Sequence, residues 1–264
     1  MTDRAAPGAP IPPSPWHRLP DRPVKRRGEP ISREAIVAAA IRLLDADGLA
    51  ALSMRRLAEE LGTGAASLYW HVGSKDALLD LVFDELIGEG VGEFGDGTEA
   101  PDPSRWREQL KEIAQAQRAL SLRHRYLVRI SVGRIPMGPN ALRLSERVLA
   151  ILLAGGLPPR VAVQGYLLLV AVVNGFTMDE TGMGDAPPAP DAGTRPGDPA
   201  SPGETGAMAR DYLASLPADQ FPVLVSLADE FALTDRNERF AILIDTFIDG
   251  LARRATKVRP DESA

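Results

Sequence analysis

Apolar residues recur along most of the chain at the spacing of one helical face. Ile36, Ala39, Ala40, Leu43 and Leu44 fall at i, i+3, i+4, i+7 and i+8, a pattern that predicts a helix with one buried side. Ser32 precedes it where a hydroxyl can cap the first free amides, and Gly48 follows its end. Ser53 opens a short helix holding Met54, Leu57, Ala58 and Leu61, which Gly62 stops. A third short helix is predicted at about 65–72. Ser74 caps a fourth, running to Ile87, with Leu78, Leu79, Val82, Phe83 and Leu86 on its apolar face. Pro103 suits a first helical turn, ahead of Trp106, Leu110, Ile113 and Ala114. Further helices are predicted at about 124–133, 139–154, 158–181, 207–215, 219–232 and 234–254. No pair of segments alternates as strands do, so the expected fold class is all-α.

Three stretches interrupt this pattern. Residues 1–30 hold eight prolines and no apolar period, which predicts a disordered arm. Gly88 to Pro103 is rich in Gly, Asp, Glu and Pro and is predicted to be a linker. Gly182 to Gly206 packs six prolines and six glycines into 25 residues, so 182–206 is expected to be a mobile loop, too long and structureless for a core. The expected domains are therefore 31–90 and 104–256, in keeping with 264 residues.

Composition narrows the chemistry. There is no cysteine, which excludes disulfides, thiolate zinc sites and a cysteine nucleophile and fits a reducing compartment. The most apolar run, Tyr166 to Val173, is bracketed by Gln164 and Asn174 and reads as too short to span a bilayer. The first residues do not form a secretory signal. A soluble, cytoplasmic protein without a membrane partner is expected. The formal charge of −6 is unevenly spread: residues 1–75 carry 11 Lys and Arg against 8 Asp and Glu, so the acidic excess lies entirely beyond them. A basic end that meets a polyanion and an acidic body that does not would show this split.

The segment Ser53–Val72 is the most informative. Two short helices joined at Gly62 describe a helix-turn-helix, whose second helix enters the DNA major groove. Ala58 is small where the helices cross, and Leu57, Leu61 and Leu68 supply a minimal core. Ser67, Tyr69, Trp70 and His71 are left to face outward, with Lys75 opening the next helix. These groups suit phosphate oxygens and base edges, although a helical hairpin inside an ordinary core is the other reading of the same pattern. The run from Leu61 to Lys75, LGTGAASLYWHVGSK, together with Leu52 to Ala58, LSMRRLA, resembles the DNA-binding signature of the tetracycline repressor (TetR) family. The likeness covers about residues 31–88. It continues more faintly through Trp106-Arg107, Arg123-His124, Gly138 to Leu142 and Gly250-Leu251.

The resemblance implies an N-terminal three-helix helix-turn-helix domain, a C-terminal helical ligand-binding and dimerisation domain, and a homodimer acting on double-stranded operator DNA. It implies that Arg55 reaches a base or phosphate, that Ser67 and Trp70 face the groove, that Tyr69 and His71 hold the backbone, and that Lys75 anchors a flanking phosphate. Ala65 and Ala66 stand where polar or proline residues read bases in relatives, and Gly73 where a basic residue is common, so operator sequence does not carry over. Arg22, Lys25, Arg26 and Arg27 are open to two readings, a DNA-contacting arm or a solubilising tail. A small-molecule effector is implied, and a repressor released by it. The function expected from another class is a helical ligand-binding or scaffolding protein that does not touch DNA.

Other constellations fail. Gly90-x-Gly92-x-x-Gly95 follows a helix rather than a strand, and Glu89, Glu93 and Asp96 would repel a pyrophosphate. The histidines are His17, His71 and His124, with no Glu three residues before any of them. No nucleophile elbow or Walker loop is present, so no enzyme, cofactor or metal is expected. Ungapped comparison with tetracycline-responsive members puts Val91 and Ser131 where magnesium-linked histidines would sit and Ile113 in place of a drug-binding asparagine. Asp179 alone survives, which argues against a magnesium–tetracycline effector. The same comparison adds Gln117, Arg147 and Met178 to Ile113, Ser131 and Asp179 as pocket candidates, with Asn174 either on the ligand or across a helix interface. Phe240, Leu243, Ile244, Phe247, Ile248 and Leu251 form one apolar stripe. That stripe reads as core or as a dimer interface shared with the helix around Val161–Asp179; the need for two recognition helices favours the interface.

Overall fold

The computed structural model describes residues 31–92, 100–181, 202–232 and 235–257. The prolyl arm with Arg22, Lys25, Arg26 and Arg27, the end of the glycine motif at Gly95, and residues 182–201 lie outside them. Twelve α-helices and no strand occur among the described residues. They are α1 (Arg33–Asp47), α2 (Met54–Glu60), α3 (Ala65–Val72), α4 (Lys75–Gly92), α5 (Trp106–Arg123), α6 (Leu127–Ser131), α7 (Pro139–Ala154), α8 (Pro159–Thr181), α9 (Pro202–Ala214), α10 (Pro222–Ser226), α11 (Ala228–Ala232) and α12 (Arg236–Lys257).

The caps fall where the hydroxyls predict. Ser32 Oγ accepts from the amide of Ala35, Ser53 Oγ from that of Arg56, and Ser74 Oγ from that of Ala77. Each satisfies a free amide of a first turn. Ile36, Ala39, Ala40 and Leu44 of α1 are fully buried, as the periodicity requires.

By packing, residues 31–181 and 250–257 belong to one compact unit and residues 202–249 to a second. One hydrophobic core runs through the first, joining Ile36, Leu44, Leu57, Leu68 and Leu78 to Leu120, Tyr126, Leu127 and Ile130. Four expectations are corrected. First, the predicted linker cannot start at Gly88, since α4 continues to Gly92; residues 93–99 lie outside the described ones. Gly88 is there for close packing: a Cβ would lie 2.6 Å from Asn140 Nδ2 on α7. A glycine in a tight helix crossing therefore looks, in sequence, like a helix breaker.

The second correction is that the predicted loop 182–206 ends earlier, because α9 begins at Pro202, with proline in the first turn where its missing amide costs nothing. The predicted helix 219–232 is two, α10 and α11, separated at Leu227. In the second unit α9 lies against both. Fourth, α8 at 23 residues is long and apolar enough to cross a bilayer by length and composition, contrary to the reading from Tyr166–Val173. One face of it, with Ala162, Leu169, Val173 and Thr177, is buried, and α8 packs on α5 and α7.

Candidate functional site

The helix-turn-helix is built around Leu57, Ala58 and Leu68, each at most 3% exposed, with Leu61 packed beside them. The chain turns at Gly62, whose φ of 62° is a left-handed conformation that glycine adopts without strain. The amide of Thr63 then bonds Ala58 O at 2.9 Å. With about 3.6 residues per turn, Leu68 and Val72 fix the inner face of α3. Ala66, Ser67 and Trp70 therefore fall on the outer one.

Trp70 is 37% and Tyr69 49% exposed. The Trp70 and His71 rings meet edge-on at 4.9 Å. His71 is half-buried rather than outward, and its carbonyl accepts from Arg33 at 3.3 Å. The predicted contact face is thus Ser67, Tyr69 and Trp70, with His71 supporting the tryptophan.

The basic groups are partly engaged within the domain. Arg55 is 88% exposed and pairs with Glu59 at 3.0 Å, and Arg56 pairs with Asp47 at 2.5 Å. Lys75 Nζ donates to Leu52 O at 2.6 Å, which ties the start of α4 to the residue before the Ser53 cap of α2. An ammonium has three donors, so two remain for an outside acceptor.

A second feature lies between α4, α5, α6, α7 and α8. A cleft of about 780 Å³, mouth included, is walled by Phe83, Ile87, Leu144, Val148, Leu169 and Val170, among others. Four predicted pocket residues line it: Ile113, Gln117, Ser131 and Asn174. Arg147, Met178 and Asp179 do not. Met178 stands one turn beyond Asn174 on α8, and both it and Asp179 are exposed. Asn174 resolves both of its readings, since it lines the cleft and also bonds across helices, accepting from Gln117 at 3.1 Å. Sequence reasoning missed Ser121, Arg134 and Tyr166. Helical periodicity could mark them only as partly buried, because the cleft is made by helices remote in sequence.

The segment 131–141 joins this cleft to α4. Arg134 lines the cleft and its guanidinium pairs with Asp80 and bonds the carbonyl of Asp76 at 3.2 Å. At the other end, Asp84 accepts from the amides of Asn140 at 3.1 Å and Ala141 at 2.9 Å. A carboxylate at the start of α7 satisfies free amides and the positive end of the helix dipole. Gly138 permits this approach, because a Cβ there would fall 2.1 Å from Asp84 Oδ1. Nearby, His124 Nδ1 lies 2.7 Å from Asp45 of α1, and burial raises the Tyr126 phenol above the usual tyrosine value, with Asp45 and Glu89 adding to the rise.

The predicted dimer stripe is divided. Phe240, Ile244, Ile248 and Leu251 are at most 4% exposed in the single chain, so these four are core, as their strict spacing equally allowed. Leu243 and Phe247 are half-buried. On α8, the other helix expected at the interface, Val163, Leu167 and Leu168 are 48%, 60% and 51% exposed.

A short helix-turn-helix carried on the same core as an apolar cleft defines a helical regulator of the helix-turn-helix class. Residues 36–82 match the family described as bacterial regulatory proteins, tetR family, and residues 100–255 match the tetracyclin repressor-like C-terminal domain. The chain belongs to the TetR family. It is 35% identical over 156 residues to the HTH-type transcriptional repressor DrrR1 of Streptomyces coeruleorubidus, over 58% of this chain and 55% of that protein. It is 40% identical over 156 residues to an HTH-type transcriptional regulator of Saccharopolyspora erythraea, over 59% of this chain and 60% of that protein. The chain thus spans little more than half the length of these two curated relatives. Among solved structures it resembles apo ActR of Streptomyces coelicolor, with a TM-score of 0.73 and 38% identity over 88% of this chain and 100% of that one. The complex of ActR with actinorhodin gives 0.72 and 38% over 90% and 100%.

Proposed function

We propose that the protein is a cytoplasmic, homodimeric transcriptional repressor that leaves its operator when a small organic molecule fills the cleft. The observation that carries this reading is the clamp on α4. Only Gly73 and Ser74 separate α3 from α4, and the cleft wall holds α4 at Asp76, Asp80 and Asp84. A ligand that shifts segment 131–141 shifts the recognition helix with it. The binding of actinorhodin by ActR and the description of DrrR1 as a repressor support the same reading.

Ser67 and Trp70 are proposed to meet base edges, Tyr69, Arg55 and Lys75 the phosphates, and His71 to brace Trp70. The α8 face is proposed to pair with a second copy. One recognition helix spans too few base pairs, whereas a two-fold dimer presents two of them about 34–36 Å apart. The test is selection of bound sequences from random duplex DNA by the full chain. Recovery of a two-fold symmetric site supports the proposal; no enrichment over random DNA rejects it in favour of a ligand-binding protein without DNA contact.

A further inference from the structure

The hydrogen atoms in the cleft can be assigned, and they describe what the cleft accepts. Two carbonyls, which only accept, set the direction of two chains of hydrogen bonds. Ser131 Oγ donates to Val128 O at 2.7 Å, so toward Asn174 it must accept, and Asn174 Nδ2 donates to it at 3.4 Å. Asn174 Oδ1 then faces Gln117, whose Nε2 donates at 3.1 Å. That orientation leaves Gln117 Oε1 as an open acceptor.

In the second chain Ser145 Oγ donates to Ala141 O at 2.8 Å. Tyr166 Oη, 2.7 Å from Ser145 Oγ, must therefore donate to it. Tyr166 offers the cleft only lone pairs. Ser121 is different: it lines the cleft and is 1% exposed. It can donate or accept.

The charges are settled as well. Arg134 is the single residue ionised at neutral pH among those lining the cleft, and Asp80 and Asp76 already face it. An acid would have to displace these carboxylates, and a cation would meet Arg134; either would be desolvated without a partner. What remains are apolar walls, the acceptors Gln117 Oε1 and Tyr166 Oη, one amide hydrogen each on Gln117 and Asn174, and the Ser121 hydroxyl.

We infer that the effector is an uncharged, hydroxyl-bearing, largely apolar ring compound, its hydroxyl hydrogens donated to Gln117 and Tyr166 and an oxygen held by Ser121. This inference rests on the reading of the cleft as the effector site and names the ligand class for it. A buried acceptor left without a donor is penalised more than a donor–acceptor pair is rewarded, so hydroxyl-free analogues are rejected rather than merely bound less well.

The test is calorimetric titration of the full chain with four probes of one shape: naphthol, naphthalene, naphthoate and naphthylmethylammonium. Naphthol is expected to bind at least tenfold more tightly than each of the others. Ser121→Ala and Tyr166→Phe are expected to shrink the preference of naphthol over naphthalene to less than threefold, with Tyr166→Phe binding naphthalene more tightly than the parent because no acceptor is stranded. Thermal melting confirms that each variant is folded. Naphthoate or naphthylmethylammonium binding as tightly as naphthol overturns the inference, as does a preference for naphthol that survives both substitutions. Binding of none of the four overturns the reading of the cleft itself.

Discussion

Replacing Arg134 by glutamine tests the clamp directly. The Arg134 and Asp80 side chains are 18% and 21% exposed, so the pair lies closer to the buried limit than to the surface one. Exposed pairs contribute about 0–1 kcal/mol, whereas removing one partner of a buried pair costs about 3–5 kcal/mol because the other charge is stranded. Four-fifths burial places the loss at about 2–3 kcal/mol. At roughly 2–4 °C per kcal/mol for a chain of this size, melting should fall by about 5–10 °C. Arg105→Gln is the control: its pair with Glu112 is 58% and 48% exposed, and its melting should move little. The double variant Arg134→Gln with Asp80→Asn should regain part of the loss, since the carboxylate that faces Arg134 is neutralised with it. Operator titration separates a clamp from simple support. The single variant should change operator affinity by fivefold or more while Arg105→Gln leaves it alone. Melting and operator affinity both unchanged in Arg134→Gln would refute the clamp.

Trp70→Ala should weaken binding to the selected site by about 1–3 kcal/mol yet barely alter random DNA, as loss of a base-edge contact does; competition gel shifts read both. Lys75→Ala should weaken both DNAs alike and also lower the melting temperature, because Leu52 O loses its donor; an effect confined to one sequence would contradict the phosphate role. Leu167→Asp should give monomers by sedimentation that lose operator binding with their helicity intact, and a dimeric variant would move the interface off α8. Tyr126 has its phenol raised in the folded chain, so the stability this adds is whole below the unfolded value of about 10 and is lost as pH rises above it. Tyr126→Phe should therefore unfold less steeply with alkali than the parent, measured by circular dichroism.

Local rules made most of the helices legible. Ser32, Ser53 and Ser74 cap the helices they were expected to cap, and α3 and α7 begin and end as the apolar spacing requires. The outer face of α3 was legible for the same reason, because a short helix with Leu68 and Val72 inside has only one way to present Ser67 and Trp70. What failed is what depends on distant partners. Gly88 and Gly138 look like breakers until Asn140 and Asp84 are seen against them. Asp84 looks like an exposed surface charge until the start of α7 is placed on it. The stripe from Phe240 to Leu251 could be core or interface from its spacing, and burial within one chain decided for core at four positions. The helix around Val161–Asp179 was expected at an interface, but Leu167 and Leu168 could not be singled out as its exposed residues, because in sequence they resemble any buried helix residue.

Asp76, Asp80 and Asp84 stand one turn apart on α4. Like charges at that spacing destabilise a helix on its own by about 0.2–0.5 kcal/mol per pair, so the row makes sense only with its partners in place. Arg134 answers the first two and the amides at the start of α7 answer the third. A slip of one turn would leave a carboxylate unanswered at one end and a guanidinium or an amide pair unanswered at the other. The row therefore fixes the register of α4 against the cleft wall as well as holding it there. A clamp of about 2–3 kcal/mol also matches the coupling of about 1–3 kcal/mol usual between two sites. A much stronger one would not yield to a ligand held by a few hydrogen bonds, and a much weaker one would let α4 drift whether or not the cleft was filled. Because coupling is reciprocal, operator DNA must loosen the effector by the same factor by which the effector loosens operator DNA, and both factors should collapse together when Arg134 and Asp80 are neutralised as a pair.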